Sequence, residues 1–211
     1  MFRDRADAAE RLARALKRYR GRPGLLVLAV PRGGLPVGAV LARELGADLD
    51  VVLTKKIGHP HNPEFAIGAV SLTGADVDLD VLRREGVDPE YAVREAERLR
   101  EVLRERYRLY RGDAKPPAVR GRTVILTDDG VATGRTLAAA VALLKEDGAA
   151  RVVVAVPVGP PDSIAALREK ADEVVCLETP GDFMAIGQYY RNFDQVSDEE
   201  AVALLRGAVR S

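Results

Sequence analysis

Residues 124–136 read VILTDDGVATGRT, and how this stretch is parsed decides the fold. A short apolar run, continuous with residues 122–127, has the character of a strand buried on both faces. Asp128 and Asp129 then stand at its carboxyl end. The small residues GVATG, 130–134, turn the chain into a helix predicted over 136–148 and beginning near Gly134 to Thr136. Successive backbone N–H groups in such a turn make a concave nest, and the helix N-terminus adds partial positive charge. Thr133 and Thr136 add hydroxyl donors, so the turn suits a phosphate dianion. The paired carboxylates do not suit that phosphate. They suit neutral hydroxyls, which donate to carboxylate, or a hydrated Mg²⁺. A phosphate close to a vicinal diol describes a ribose 5-phosphate. The plainer alternative is a strand–turn–helix connection that happens to carry an acidic turn. Spacing disposes of two other phosphate motifs: three residues rather than four separate Gly130 from Gly134, and Arg135 stands where a P-loop has lysine. No G-x-G-x-x-G is present in GVATG or in GGLPVG.

Outward from this stretch, strands and helices alternate. Helical spacing covers 4–20 and stops at Gly21, and an apolar strand follows at 24–30. The break PRGG leads to a helix over 35–45 and a strand over 48–54. Residues 55–64, KKIGHPHNPE, read as a loop rich in breakers, and 65–79 as a hairpin turning at Gly74. A long charged helix spans 88–111, with an apolar stripe of Tyr91, Val93, Ala96, Leu99, Val102, Leu103, Tyr107 and Tyr110; it serves as a lid or a dimer surface. Strands at 150–158 and 172–178 flank a helix at 161–171, and a last helix starts about Ser197. This alternation predicts a mostly parallel sheet covered on both faces, with ligands beyond the strands' carboxyl ends.

The totals set bounds. With 211 residues the chain is expected to be one domain, 1–211, carrying an inserted helical segment at about 80–115 and a C-terminal segment at about 178–211. Lys plus Arg and Asp plus Glu are both 32, so the net charge is zero and a nucleic-acid partner is not expected. The one cysteine, Cys176, has no disulfide or zinc partner and reads as a small buried hydrophobe. The N-terminus lacks an apolar signal core and no stretch is long enough to span a bilayer, so a cytoplasmic protein without membrane contact is expected. His59 and His61 form a His-x-His, but no third ligand stands at a convincing spacing.

The stretch VILTDDGVATGRT resembles the phosphoribosyl-diphosphate (PRPP) motif of type I phosphoribosyltransferases, departing mainly at Thr127, where the family is usually apolar. The resemblance extends over most of the chain and is nearest to a group described only as predicted phosphoribosyltransferases. It implies a three-layer α/β fold with about six strands in the order 3-2-1-4-5-6 and a small hood. Strands at 25–30, 50–54, 65–70, 122–127, 151–156 and 173–177 fit it, with 65–70 as the antiparallel third member. It also implies a Mg²⁺-dependent transfer of ribose 5-phosphate from PRPP to a nitrogenous acceptor with release of pyrophosphate. On this resemblance Asp128 and Asp129 bind the ribose hydroxyls and touch Mg²⁺ only through those hydroxyls or water. Gly130, Val131, Ala132, Thr133, Gly134, Arg135 and Thr136 hold the 5-phosphate. Arg32, Gly33 and Gly34 in VPRGG resemble the pyrophosphate loop, where a non-proline cis peptide is often seen, at Pro31–Arg32 or at Arg32–Gly33. Arg32 joins the two acids as a catalytic candidate.

Lys55 and Lys56 on the same rim, and Arg191 in the hood, are further pyrophosphate candidates, and Phe183 is the candidate base-stacking residue. Ala132 replaces an aspartate common in enzymes of 6-oxopurines, which leaves the acceptor open. Small-molecule partners and a homodimer are expected. The alternative is a PRPP- or nucleotide-sensing regulator of the same fold without catalysis. Replacing both acids with Asn is expected to abolish PRPP binding and to leave the melting temperature nearly unchanged.

Overall fold

The computed structural model describes residues 1–207. Its centre is a five-stranded sheet in the order β2-β1-β6-β7-β8, built from β1 (Leu26–Ala29), β2 (Asp48–Val51), β6 (Thr123–Thr127), β7 (Arg151–Val158) and β8 (Glu173–Glu178). All four pairings are parallel. The middles of the central strands β1, β6 and β7 are apolar because both faces are covered. Val27, Ala29, Ile125, Val153 and Ala155 pack against α1 (Arg5–Ala15) and α2 (Gly34–Leu45) on one side. The alternating residues Leu26, Leu28, Val124, Leu126, Val152 and Val154 face α5 (Arg135–Glu146) and α6 (Pro161–Lys170) on the other. Each fully buried Val, Leu or Ile among them contributes about 1.5–3 kcal/mol relative to exposure.

The α/β class and the parallel sheet are as expected, but the sixth strand is not part of that sheet. Residues 65–70 lie within β4 (Asn62–Ser71), which pairs antiparallel with β3 (Thr54–His59) and β5 (Ala75–Val77) in a separate three-stranded ribbon. Because β4 has a partner on each side, it is not available to pair with β2. The segment read as a loop, 55–64, is therefore mostly strand. Its breakers are accommodated: Pro60 is in the turn between β3 and β4, and Pro63 lies in the irregular stretch where the register shifts between Ile57 and His59. A missing N–H there costs no regular ladder bond. The turn at Gly74 is as expected.

The ribbon is held down by α4 (Pro89–Arg111), which Asp88 caps and whose buried face is Ala92, Ala96, Leu99, Leu103, Tyr107 and Tyr110. Val93 and Val102, assigned to this stripe from sequence, are 58% and 37% exposed; they fall off the 3.6-residue period that the buried positions follow. A short α3 (Leu79–Glu85) precedes α4, with Asp78 as its N-cap. The buried face of α4 packs on β3, β4 and α7 (Asp198–Gly207). Ser197 Oγ accepts from Glu200 N at 3.1 Å, as its N-cap role requires. The last four residues of the C-terminal segment proposed at 178–211 lie outside the described residues. Among the described residues no helix is long and apolar enough to cross a membrane.

Candidate functional site

The carboxyl ends of β1 and β6 lie side by side, Ala29 opposite Thr127, so the loops that follow them meet. Thr127, the polar residue in an otherwise apolar strand, is completely buried, and its hydroxyl donates to Ala155 O at 2.7 Å. After β1 the peptide Pro31–Arg32 is cis, one of the two positions foreseen. The next residues press against the acidic pair. A Cβ on Gly33 would overlap the Asp129 carboxylate, 2.7 Å from its Cγ, and one on Gly34 would lie 2.9 Å from Asp128 Cα. The two glycines thus let one loop's backbone approach the other's carboxylates.

Asp128 is half-buried and accepts a hydrogen bond from Asp129 N at 2.8 Å. Its burial, and then the neighbouring Asp129 charge, push its pKa well above the usual carboxylate range. Asp129 is 8% exposed, and burial raises its pKa too, opposed by the guanidinium of Arg5. Arg5 Nε and Nη2 both donate to Asp129 Oδ2, at 2.9 and 2.8 Å. Both bonds fall on one oxygen, so Oδ1 remains available. The carbonyl of Asp129 accepts from the buried hydroxyl of Tyr190 at 2.6 Å. Burial and the nearby Asp129 keep that phenol protonated at any ordinary pH.

The pair with Arg5 corrects the expectation for the double Asn variant. Loss of Asp129 strands a cation that is 12% exposed, so the double variant is expected to be destabilised and to melt below wild type. Nothing in the sequence signals the partner, because Arg5 is 124 positions away and reads as an ordinary helix charge.

From Gly130 the chain curls into α5. Val131 is buried and its N–H bonds Val158 O at 2.8 Å, which anchors the turn. Gly134 has φ +72°, a conformation a side chain would resist, and begins the helix. Among the described residues no protein acceptor meets the N–H groups of residues 132–137. Ala132, Thr133, Arg135 and Thr136 are exposed. These open N–H groups, on the turn that the sequence reading takes as an anion nest, follow directly on the two acids.

An open cleft of about 440 Å³ joins Asp128, Asp129, Arg32 and Gly33 to Arg5, Ile186, Phe193, Gln195 and Val196. Arg32 is loosely paired with Asp198, 3.8 Å away. The other candidates lie elsewhere. Lys55 and Lys56 are in β3 opposite Val70 and Ala69, and Lys56 pairs with Glu64 at 2.7 Å. Arg191 is exposed outside the cleft, its backbone N–H bonded to Phe2 O. Phe183 stacks on Tyr189 with centroids 5.6 Å apart, and the aromatic lining the cleft is Phe193. A second pocket of about 370 Å³, near Leu53, Leu72, Pro117 and Leu143, is more apolar and includes neither the acids nor the nest.

Paired acids and a turn of unpartnered N–H groups stand together at the carboxyl rim of a parallel sheet. The chain belongs to the phosphoribosyl transferase family: the model of the phosphoribosyl transferase domain matches residues 3–194. It is 45% identical, over all of its length, to a protein of Mycobacterium tuberculosis provisionally named a phosphoribosyl transferase, and spans 47% of that protein. The chain thus covers about half the length of the curated relatives it matches. It is also similar to the solved crystal structure of TT1426 from Thermus thermophilus, with 46% identity, a TM-score of 0.86 and 99% of each chain covered.

Proposed function

We propose that this chain transfers ribose 5-phosphate from PRPP to a nitrogenous acceptor and releases pyrophosphate. The observation that carries the reading is the run of unpartnered N–H groups at 132–137 directly after an acid pair of which Asp129 is buried and Asp128 half-buried. The N–H groups and the Thr133 and Thr136 hydroxyls hold the 5-phosphate. Asp128 and Asp129 accept hydrogen bonds from the 2- and 3-hydroxyls. Arg32 stands across the same cleft, with the backbone of Gly33 and Gly34, to receive the pyrophosphate. These contacts fix the sugar and stabilise charge on the leaving group as the bond at C1 breaks.

Mg²⁺ bound with the pyrophosphate would supply further charge neutralisation. The described residues hold no group of three or more acid, histidine or cysteine ligands. An ion carried by substrate oxygens and water, with Asp128 and Asp129 as outer partners, is compatible with this donor set. On this reading the partners are small molecules and the chain acts in the cytoplasm.

Incubation with PRPP, Mg²⁺ and a panel of purine and pyrimidine bases tests the reading. Acceptor-dependent pyrophosphate release supports it. PRPP binding without turnover on any acceptor contradicts it and supports a sensing role. Release without an acceptor points to water as the acceptor.

A further inference from the structure

Arg5 is a charged group of the cleft that the resemblance does not supply. It belongs to the first turn of α1, yet its side chain reaches the acid pair and is only 12% exposed. Three contacts fix it. Nε and Nη2 hold Asp129 Oδ2, Nη1 donates to Asp194 O at 2.7 Å, and its guanidinium carbon is 4.0 Å from the centroid of the Phe193 ring. Asp129 is thereby held from several directions: by Arg5 on one oxygen, by Tyr190 at its carbonyl and by Gly33 against the carboxylate. One oxygen, Oδ1, is left for a further donor. A carboxylate with its rotamer locked and one oxygen open is a preorganised acceptor for a hydroxyl group.

The charge of Arg5 has a second effect. PRPP is a polyanion, and two bare carboxylates repel it. With Arg5 on Asp129 the trio carries one net negative charge rather than two. The pairing leaves the hydrogen-bonding capacity for neutral hydroxyls while halving the repulsion of the phosphates on either side. Arg5 also links the loop after β6 to the segment around Phe193 and Asp194, which forms another wall of the cleft.

We propose that Arg5 is a positioning residue for the sugar diol, holding Asp129 so that its free oxygen receives a ribose hydroxyl and offsetting its charge toward the phosphates. The inference rests on the reading of Asp128 and Asp129 as the diol site, and its test separates the two. Affinities for ribose 5-phosphate and for inorganic phosphate are measured on wild type, Arg5→Gln and Arg5→Lys. Both ligands use the nest of residues 132–137, but only the first presents a diol.

Wild type is expected to prefer ribose 5-phosphate by about tenfold or more, the worth of one hydrogen bond to a charged group. Arg5→Gln is expected to lose most of this preference, with a smaller loss of phosphate affinity because the carboxylate charge is no longer offset; the phosphate binding that remains also shows that the loop is folded. Arg5→Lys is expected to recover part of it. A wild-type preference retained in Arg5→Gln overturns the role of Arg5 and leaves the diol reading standing. Equal loss of both ligands in Arg5→Gln, with no recovery in Arg5→Lys, overturns it in favour of a purely structural pair. No preference in wild type overturns the diol reading, and the inference with it.

Discussion

Two buried aspartates, Asp50 and Asp129, do different work, and the contrast locates the site. Asp50, at the end of β2, is 2% exposed and fully engaged. Its Oδ2 accepts from Tyr107 at 2.8 Å, its Oδ1 accepts from Val51 N at 2.7 Å, and Arg111 lies 3.5 Å from Oδ1. The Tyr107 hydrogen bond and the Arg111 ion pair tie α4 to the parallel sheet. Asp129 is nearly as buried and also paired with an arginine, but one of its oxygens is free, and it adjoins a second acid and a row of N–H groups without protein partners. Burial and ion pairing alone do not distinguish a structural carboxylate from a ligand-binding one. Open hydrogen-bonding capacity beside unpartnered N–H groups is what supports the proposed binding role of Asp129.

The sharpest way to break this contrast is to exchange acid for amide in each region. Asp128→Asn is expected to weaken PRPP binding by about tenfold to a hundredfold, since an amide accepts more weakly than a carboxylate and presents a donor in its place. Asp50→Asn is expected to leave that binding within about twofold, because the residue faces α4 and lies outside the cleft. Calorimetric titration checks both, and equal losses at the two positions would erase the distinction.

Stability is expected to divide in the same way on a smaller scale. Asp129→Asn removes the partner of Arg5 and is expected to cost about 3 kcal/mol, near 10 °C in melting temperature. Tyr107→Phe leaves Asp50 short of one hydrogen bond and is expected to cost about 1–2 kcal/mol with PRPP affinity unchanged. Thermal melts with and without PRPP measure both. A Tyr107→Phe variant that melts as wild type but fails to bind would place α4 in the functional machinery.

The smallest effect concerns pH. The folded-state pKa of Asp128 is raised, by burial and then by Asp129. A raised acid favours the fold while it is protonated, and that contribution is lost as pH rises through the folded value. At neutral pH its ionised form is therefore a net cost. Asp128→Asn is expected to melt above wild type at pH 8, with the gap closing as pH falls to about 4, the unfolded carboxylate value. A variant that melts below wild type at pH 8 would contradict this electrostatic account.

What the sequence revealed follows the same division. The strand–acid–nest–helix succession was legible because each part is local: the apolar run, the two aspartates and Gly134 lie within a few residues of one another. The central parallel sheet was legible from strands alternating with helices. The β4–β5 hairpin was legible from its turn at Gly74, but β3 and the start of β4 were not, because Gly58, Pro60 and Pro63 signal a loop, and only the bulged register at Ile57 to His59 shows how strands accommodate them. Arg5, Ile186, Phe193 and Gln195 were missed as cleft residues because tertiary contact alone brings them there. Phe183 and Arg191 were chosen from the same aromatic-rich segment, where the chain's path, unseen in the sequence, decides which residue turns inward.

The most direct test is a crystal structure of the protein with PRPP and Mg²⁺. The 5-phosphate is expected among the N–H groups of residues 132–137, with the ribose hydroxyls on Asp128 and on Asp129 Oδ1. Sugar phosphate bound elsewhere, or an empty nest at saturating ligand, would contradict the assignment.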